Sequence, residues 1–132
     1  MSNNGRVLGI GGVFFKSKDK DALGQWYKNT LGFDIEPIYG GSSFAFENAP
    51  KGAFTVWGPF KQETEYFAPS EKPFMINLMV NDLEACLKQV EANGGMLVGE
   101  PMQESYGKFA WFIDPEGNKI ELWEMLNEGK FE

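Results

Sequence analysis

Histidine is missing from this chain altogether. Without an imidazole there is no Ser–His or Cys–His nucleophile pair, and the commonest protein ligand for zinc, copper and iron is gone. Cysteine is almost as scarce. Cys86 stands alone, so no internal disulfide forms, which fits a reducing cytosol, and no CxxC redox or metal pair exists. Positive charge is short as well: 12 Lys and Arg face 19 Asp and Glu, a formal net charge of −7, and no basic stripe offers a nucleic-acid backbone a footing. That acidity favours solubility and mildly favours cationic ligands. No apolar run approaches the roughly 20 residues of a membrane span. The opening MSNNGRVLGIGG lacks the charged-then-apolar layout of a secretory signal. Gly9-Ile10-Gly11-Gly12 leads into a strand pattern rather than a helix, which excludes a phosphate loop. A cytoplasmic protein with neither a nucleic-acid nor a membrane partner is the expectation.

What is abundant is aromatic surface, 15% of the residues, more than a minimal core requires. The organising stretch is FAWFIDPEGNKIELWE, residues 109–124. Two strand-like runs, 109–113 and 119–124, flank Asp114-Pro115-Glu116-Gly117-Asn118, where Pro115 presets the turn, Asp114 can bond it from the side and Gly117 supplies a positive φ. The second run alternates: Ile120 and Leu122 point to a core, while Lys119, Glu121 and Trp123 share the other face. A carboxylate and an indole thus lie side by side on a surface that the core does not claim.

The same alternation of caps, stops and strands occurs twice. Residues 7–17 read as a strand; Asp19 caps a helix through Ala22, Leu23, Trp26, Tyr27 and Leu31 that Gly32 ends; strands are predicted at 33–38, 43–47 and 53–58. After a polar linker, 61–73, the order repeats: a strand at 75–80, a cap at Asp82, a helix over 83–93 with Leu83, Cys86, Leu87 and Val90 inward, a strand at 96–98, and the hairpin. Asp19 and Asp82, Gly12 and Met75, and Gly32 and Gly95 are each 63 residues apart; later the offset is 66, pairing Thr55 with Glu121 and Trp57 with Trp123. A duplicated βαβββ unit explains this register. The predicted class is α+β: two tandem βαβββ modules, about 6–60 and 74–126, forming one domain, 1–132, in which a U-shaped, cupped mixed sheet carries its helices on the outer face.

GVFFKSKDKDALGQWYKNTLGF in the first half, and INLMVNDLEACLKQVEANGG with DPEGNKIELWE in the second, resemble the vicinal oxygen chelate superfamily, which includes glyoxalase I, bleomycin and fosfomycin resistance proteins and extradiol dioxygenases. The resemblance implies a trough between the two modules. In the metal enzymes of that family a divalent ion sits there on four ligands, usually His, Glu or Gln. The matching positions here are Gly12, Thr55, Met75 and Glu121, and Glu121 alone is a ligand type. One carboxylate falls short of the three protein ligands that open catalytic sites usually keep, and a thioether suits a hard cation poorly. No cofactor is therefore expected; a divalent metal would enter only through Glu121.

The predicted trough lining includes Phe14, Lys16, Thr55, Trp57, Met75, Asn77, Met79, Glu121 and Trp123, with Ser43, Ala45 and Glu47 opposite Phe109, Trp111 and Ile113. Large flat side chains with sparse polar groups make a small-molecule pocket. The expected ligand-binding set is Phe14, Lys16, Thr55, Trp57, Met75, Asn77, Trp111, Glu121 and Trp123. Each has a plain structural reading too: the indoles as filler, Glu121 as a relic either paired with Lys16 or exposed at a wet mouth, Cys86 as a core residue. Two functions follow. One is a metal-independent binder, similar to bleomycin resistance proteins, holding a planar or cationic ligand. The other is a glyoxalase-like lyase or related enzyme in which Glu121 is the catalytic residue, as residual metal ligand or general base. The resemblance also implies pairing of two copies as a homodimer.

Overall fold

The computed structural model describes residues 5–126. Both helices begin where an aspartate can cap them. Asp19 accepts a bond from the Ala22 amide at 3.1 Å and opens α1 (Lys20–Leu31). Asp82 does the same for Ala85, also at 3.1 Å, and opens α2 (Leu83–Ala92). Such caps satisfy amides that the helix leaves without partners. Gly32, at φ 74°, ends α1 in the left-handed conformation that a side chain would resist.

The sheet has four strands: β1 (Ile76–Met79), β2 (Met96–Glu104), β3 (Gly107–Ile113) and β4 (Lys119–Met125), in the spatial order β1-β4-β3-β2. β1 runs parallel to β4, and the other two pairings are antiparallel. This mixed sheet is open, and with the helices it gives the expected α+β class. The hairpin pairs Trp111 with Glu121 and Phe109 with Trp123, and β1 sets Asn77 beside Glu121. β2 outruns the predicted 96–98 because its register shifts between Val98 and Met102. Gly99, at φ 68°, lies in that irregularity and lets the ladder resume beyond it.

One face of the sheet carries the core. Leu83, Cys86 and Val90 from α2 and Leu23 and Tyr27 from α1 pack on Ala110, Phe112, Ile120 and Leu122. Ile120 and Leu122 point inward, as their alternation requires, and Cys86 is the small core residue that the helical stripe implies. On α1 the inward positions are Leu23, Gly24, Tyr27 and Thr30; Ala22, placed inward by spacing, is exposed. No helix among the described residues is long and apolar enough to cross a membrane.

The DPEGN turn ties the two halves together. Asp114 is buried and accepts bonds from the Glu116 and Asn118 amides at 2.9 and 3.0 Å, from Asn118 Nδ2 at 2.9 Å and from the Tyr27 hydroxyl at 2.9 Å. Burial, then the adjacent carboxylate, pushes the Tyr27 phenol far above its ordinary range, so it stays a donor. Glu116 reaches back across the chain to Ser17 Oγ and the amides of Lys18 and Asp19, at 2.8 to 2.9 Å. Desolvation works against its charge, yet those three bonds and Lys72 outweigh it and hold the carboxyl below the usual range.

The first half departs from the expected strands. Residues 7–17, 33–38, 43–47 and 53–58 join no ladder; a turn occupies 37–39, and Phe46–Asn48 is a single 3-10 turn. Alternation gives a segment a face but no partner, and strands form only in pairs. Within the described residues, no backbone–backbone hydrogen bond engages 7–17, and Ala53 N to Pro50 O is the only one engaging 53–58.

Candidate functional site

Glu121 lies mid-strand on the face of the sheet away from the helices, and three donors converge on it. Asn77 Nδ2 donates to Oε1 at 2.7 Å from the neighbouring β1. Trp111 Nε1 donates to Oε2 at 2.8 Å from β3. The Tyr66 hydroxyl donates to the same Oε2 at 2.7 Å from the linker. The first two follow from register, since both residues lie directly beside Glu121. The third depends on a segment that strand logic does not reach. Burial and then the Glu121 hydrogen bond push the Tyr66 phenol up to about 12, so at neutral pH it holds its proton for the carboxylate.

Lys119, two residues before Glu121 and on the same face, secures the linker. Its ammonium donates to the Tyr66 carbonyl at 2.6 Å and sits 5.2 Å from the Tyr66 ring centroid and 5.9 Å from that of Trp111. Cation–π attraction offsets part of its desolvation. Burial still pulls the lysine below its ordinary range, with Glu121 pulling the other way. Tyr66 and Trp111 meet edge to face at 6.2 Å, and Phe60 stacks on Tyr66 at 5.6 Å. The result is one oriented carboxylate framed by rings, with one cation beneath the linker.

Of the predicted ligand-binding residues, the structure brings Asn77, Trp111 and Glu121 into one cluster. Met75 is half-buried at the linker's end. Trp123 is buried, stacked on Phe109 at 5.8 Å and meeting Phe54 edge to face at 5.5 Å, with its indole N–H unpaired. Phe14, Lys16, Thr55 and Trp57 are exposed, and among the described residues no hydrogen bond, ion pair or ring contact joins them to Glu121. The Lys16–Glu121 ion pair allowed as a structural alternative is therefore replaced by neutral donors. Sequence reasoning missed Tyr66 and Lys119. Alternation had already put Lys119 on the right face; nothing in the polar linker singled out Tyr66. A cleft of about 760 Å³ runs along 58–75 and shares only Met75 with the predicted trough.

The donor set does not suit a resident metal. Gly12 has no side chain, Thr55 is exposed, Met75 offers sulfur, and both Glu121 oxygens are engaged. Among the described residues no group of three or more Asp, Glu or Cys converges as a ligand set.

Comparison with known proteins places this architecture. The model of the glyoxalase-like domain family matches residues 12–123. The chain belongs to the glyoxalase-like domain family. The uncharacterized protein YetH of Bacillus subtilis (strain 168) is 28% identical over 117 residues, spanning 87% of this chain and 97% of YetH. Among solved structures, the hypothetical protein SA1046 from S. aureus superposes with a TM-score of 0.55 at 21% identity, covering 87% of this chain and 94% of that one. The antibiotic binding protein TnmS3 from Streptomyces sp. CB03234 does so with a TM-score of 0.50 at 23% identity, covering 83% and 88%. The structural likenesses show the fold, and the family-model match supports the vicinal oxygen chelate superfamily that the sequence resembles.

Proposed function

We propose that this glyoxalase-like domain is a metal-independent binder of small planar or cationic molecules. The carrying observation is the Glu121 carboxylate, held by Asn77, Trp111 and Tyr66 and framed by aromatic rings. A carboxylate so held is an oriented acceptor: it fixes where a ligand's N–H or cationic group goes, while the Trp111 and Tyr66 rings supply flat contact. The ligand enters by exchange, its donor taking over part of what Tyr66 now satisfies. TnmS3, whose fold this chain shares, is an antibiotic binding protein, so the fold admits such a role. Proton transfer by Glu121, the enzymatic alternative, has less behind it: a general base needs a positioned partner, and the three groups on this carboxylate are hydrogen-bond donors that favour its holding a ligand's donor in place. The reading extends to a cytoplasmic protein with two modules, 6–60 and 74–126, on either side of the linker 61–73.

The test is a titration of planar aromatic cations and their neutral counterparts, followed by tryptophan emission. Trp111 adjoins the carboxylate and reports occupancy. Quenching is expected in the native protein, with affinity at least about tenfold weaker in Glu121→Gln, since a charge-assisted hydrogen bond is worth about 1.5–3 kcal/mol. Absence of quenching throughout the panel removes the proposal.

A further inference from the structure

Two opposite charges share one face of β4 without pairing. Lys119 and Glu121 are two residues apart, about 7 Å along the strand, and among the described residues no ion pair joins them. Each instead holds a different end of Tyr66. The phenol donates to Glu121 Oε2 at 2.7 Å, and the backbone carbonyl accepts from Lys119 Nζ at 2.6 Å. The ring between those ends has walls: Phe60 stacks on it at 5.6 Å, Trp111 meets it edge to face at 6.2 Å, and the ammonium lies 5.2 Å from its centroid. One residue thus fills a ring-sized seat with an acceptor at one end and a donor at the other.

The segment that carries Tyr66 is lightly fastened. Residues 61–73 join no ladder, and tight turns shape them, closed by Thr64 N to Lys61 O, Ala68 N to Glu65 O and Ser70 N to Phe67 O at 3.0 Å. Besides the two Tyr66 bonds, the hydrogen bond that ties them to the hairpin among the described residues is Lys72 Nζ to Asn118 Oδ1, at 3.2 Å. Tyr66 is 38% exposed, so water and solutes reach the seat that it fills.

We infer, building on Glu121 as the ligand's anchor, that Tyr66 is a built-in place-holder and that the ligand copies its pattern: a neutral aromatic molecule with an O–H or N–H donor on the ring and a carbonyl on a short saturated arm. A molecule that is only cationic loses beside Lys119 what it gains at Glu121, because like charges set together are costly. A donor–acceptor molecule uses both groups. The ammonium has three donors, so it serves a ligand carbonyl without giving up that of Tyr66. Binding requires the Tyr66 ring to leave, which makes the linker both gate and competitor.

N-acetyl-L-tyrosinamide carries the ring, hydroxyl and carbonyl of Tyr66 at the same covalent spacing. N-acetyl-L-phenylalaninamide lacks the hydroxyl, and tyramine has a cation in place of the carbonyl. Calorimetric titration of the full chain should show Tyr66→Ala binding N-acetyl-L-tyrosinamide at least about tenfold tighter than the native chain does, since the closed seat lowers apparent affinity. Tyr66→Ala should also prefer it about tenfold over either analogue, and adding Lys119→Met should erase the preference over tyramine. Equal affinity for the three probes, or no gain from removing the Tyr66 ring, overturns the inference. If planar cations still bind in that case, Glu121 remains an anchor and only the place-holder falls; if nothing binds, both fall. Should Tyr66→Ala fail to fold, the native chain decides: saturating N-acetyl-L-tyrosinamide should speed hydrogen exchange at the amides of Thr64, Ala68 and Ser70, and unchanged exchange overturns the inference.

Discussion

Removing one oxygen atom tests how the two halves are joined. In Tyr27→Phe the ring keeps its place between Trp26, at 4.9 Å, and Phe33, at 4.8 Å, so packing is preserved. What disappears is the 2.9 Å bond to Asp114 Oδ2, and that oxygen keeps only Asn118 Nδ2. Both side chains are buried, 7% and 5% exposed, so water does not replace the lost donor. A hydrogen bond to a buried charged acceptor is worth about 1.5–3 kcal/mol, which puts the cost near 2 kcal/mol. With an unfolding entropy of about 2.1 cal/mol/K per residue, that lowers Tm by about 7 °C. Urea unfolding should shift its midpoint at constant slope, because the exposed area is unchanged. Pairing the change with Asp114→Asn in a double-mutant cycle should give a coupling of at least about 1 kcal/mol. If Tyr27→Phe unfolds within about 0.5 kcal/mol of the native chain, or costs the same in both backgrounds, the DPEGN turn is not the clasp described above.

Two further expectations concern the other face of the sheet. Tyr66 has its phenol raised from 10.0 to about 12, so it favours the folded state fully below pH 10, and that contribution is lost as pH rises through about 12. Phenolate absorbance of the native protein should therefore lag behind the unfolded chain above pH 10, and Tyr66→Phe should shrink the lag; an unchanged lag refutes the Glu121 bond. Gly107→Ala would drive a methyl into Trp123 Nε1 and Cδ1 and against the Glu124 carbonyl. Overpacking of this kind costs about 1–3 kcal/mol; a neutral result in thermal unfolding means that Trp123 is not wedged there.

Local chemistry made both helices and the second-half hairpin legible. Asp19 and Asp82 announced both helices because a carboxylate before an apolar stripe has few other uses, and Gly32 announced a stop because its backbone needs a positive φ. Ile120 and Leu122 fixed the register of the hairpin, which brought Trp111 and then Asn77 to Glu121. The first half was harder for a physical reason. Alternation at 53–58 defines two faces without naming a neighbour, and a ladder is a property of pairs. Tyr66 escaped for a related reason: its position follows from Lys119 gripping its carbonyl 53 residues away, and the linker's own composition says only that it is polar. Trp123 was expected to line an open trough, but Phe54 and Phe109 enclose it.

The reach of Glu116 bears on how the molecule is made. Its bonds to Ser17, Lys18 and Asp19 span 97 to 99 residues. At a synthesis rate of about 5–20 residues per second, the start of the first helix waits roughly 5–20 seconds before its anchor is translated. During that interval the uncharged stretch at 7–15 is already outside the ribosome or within its tunnel, with nothing of its own to lean on. The start of α1 therefore completes its contacts only once the turn at 114–118, near the far end, has been made.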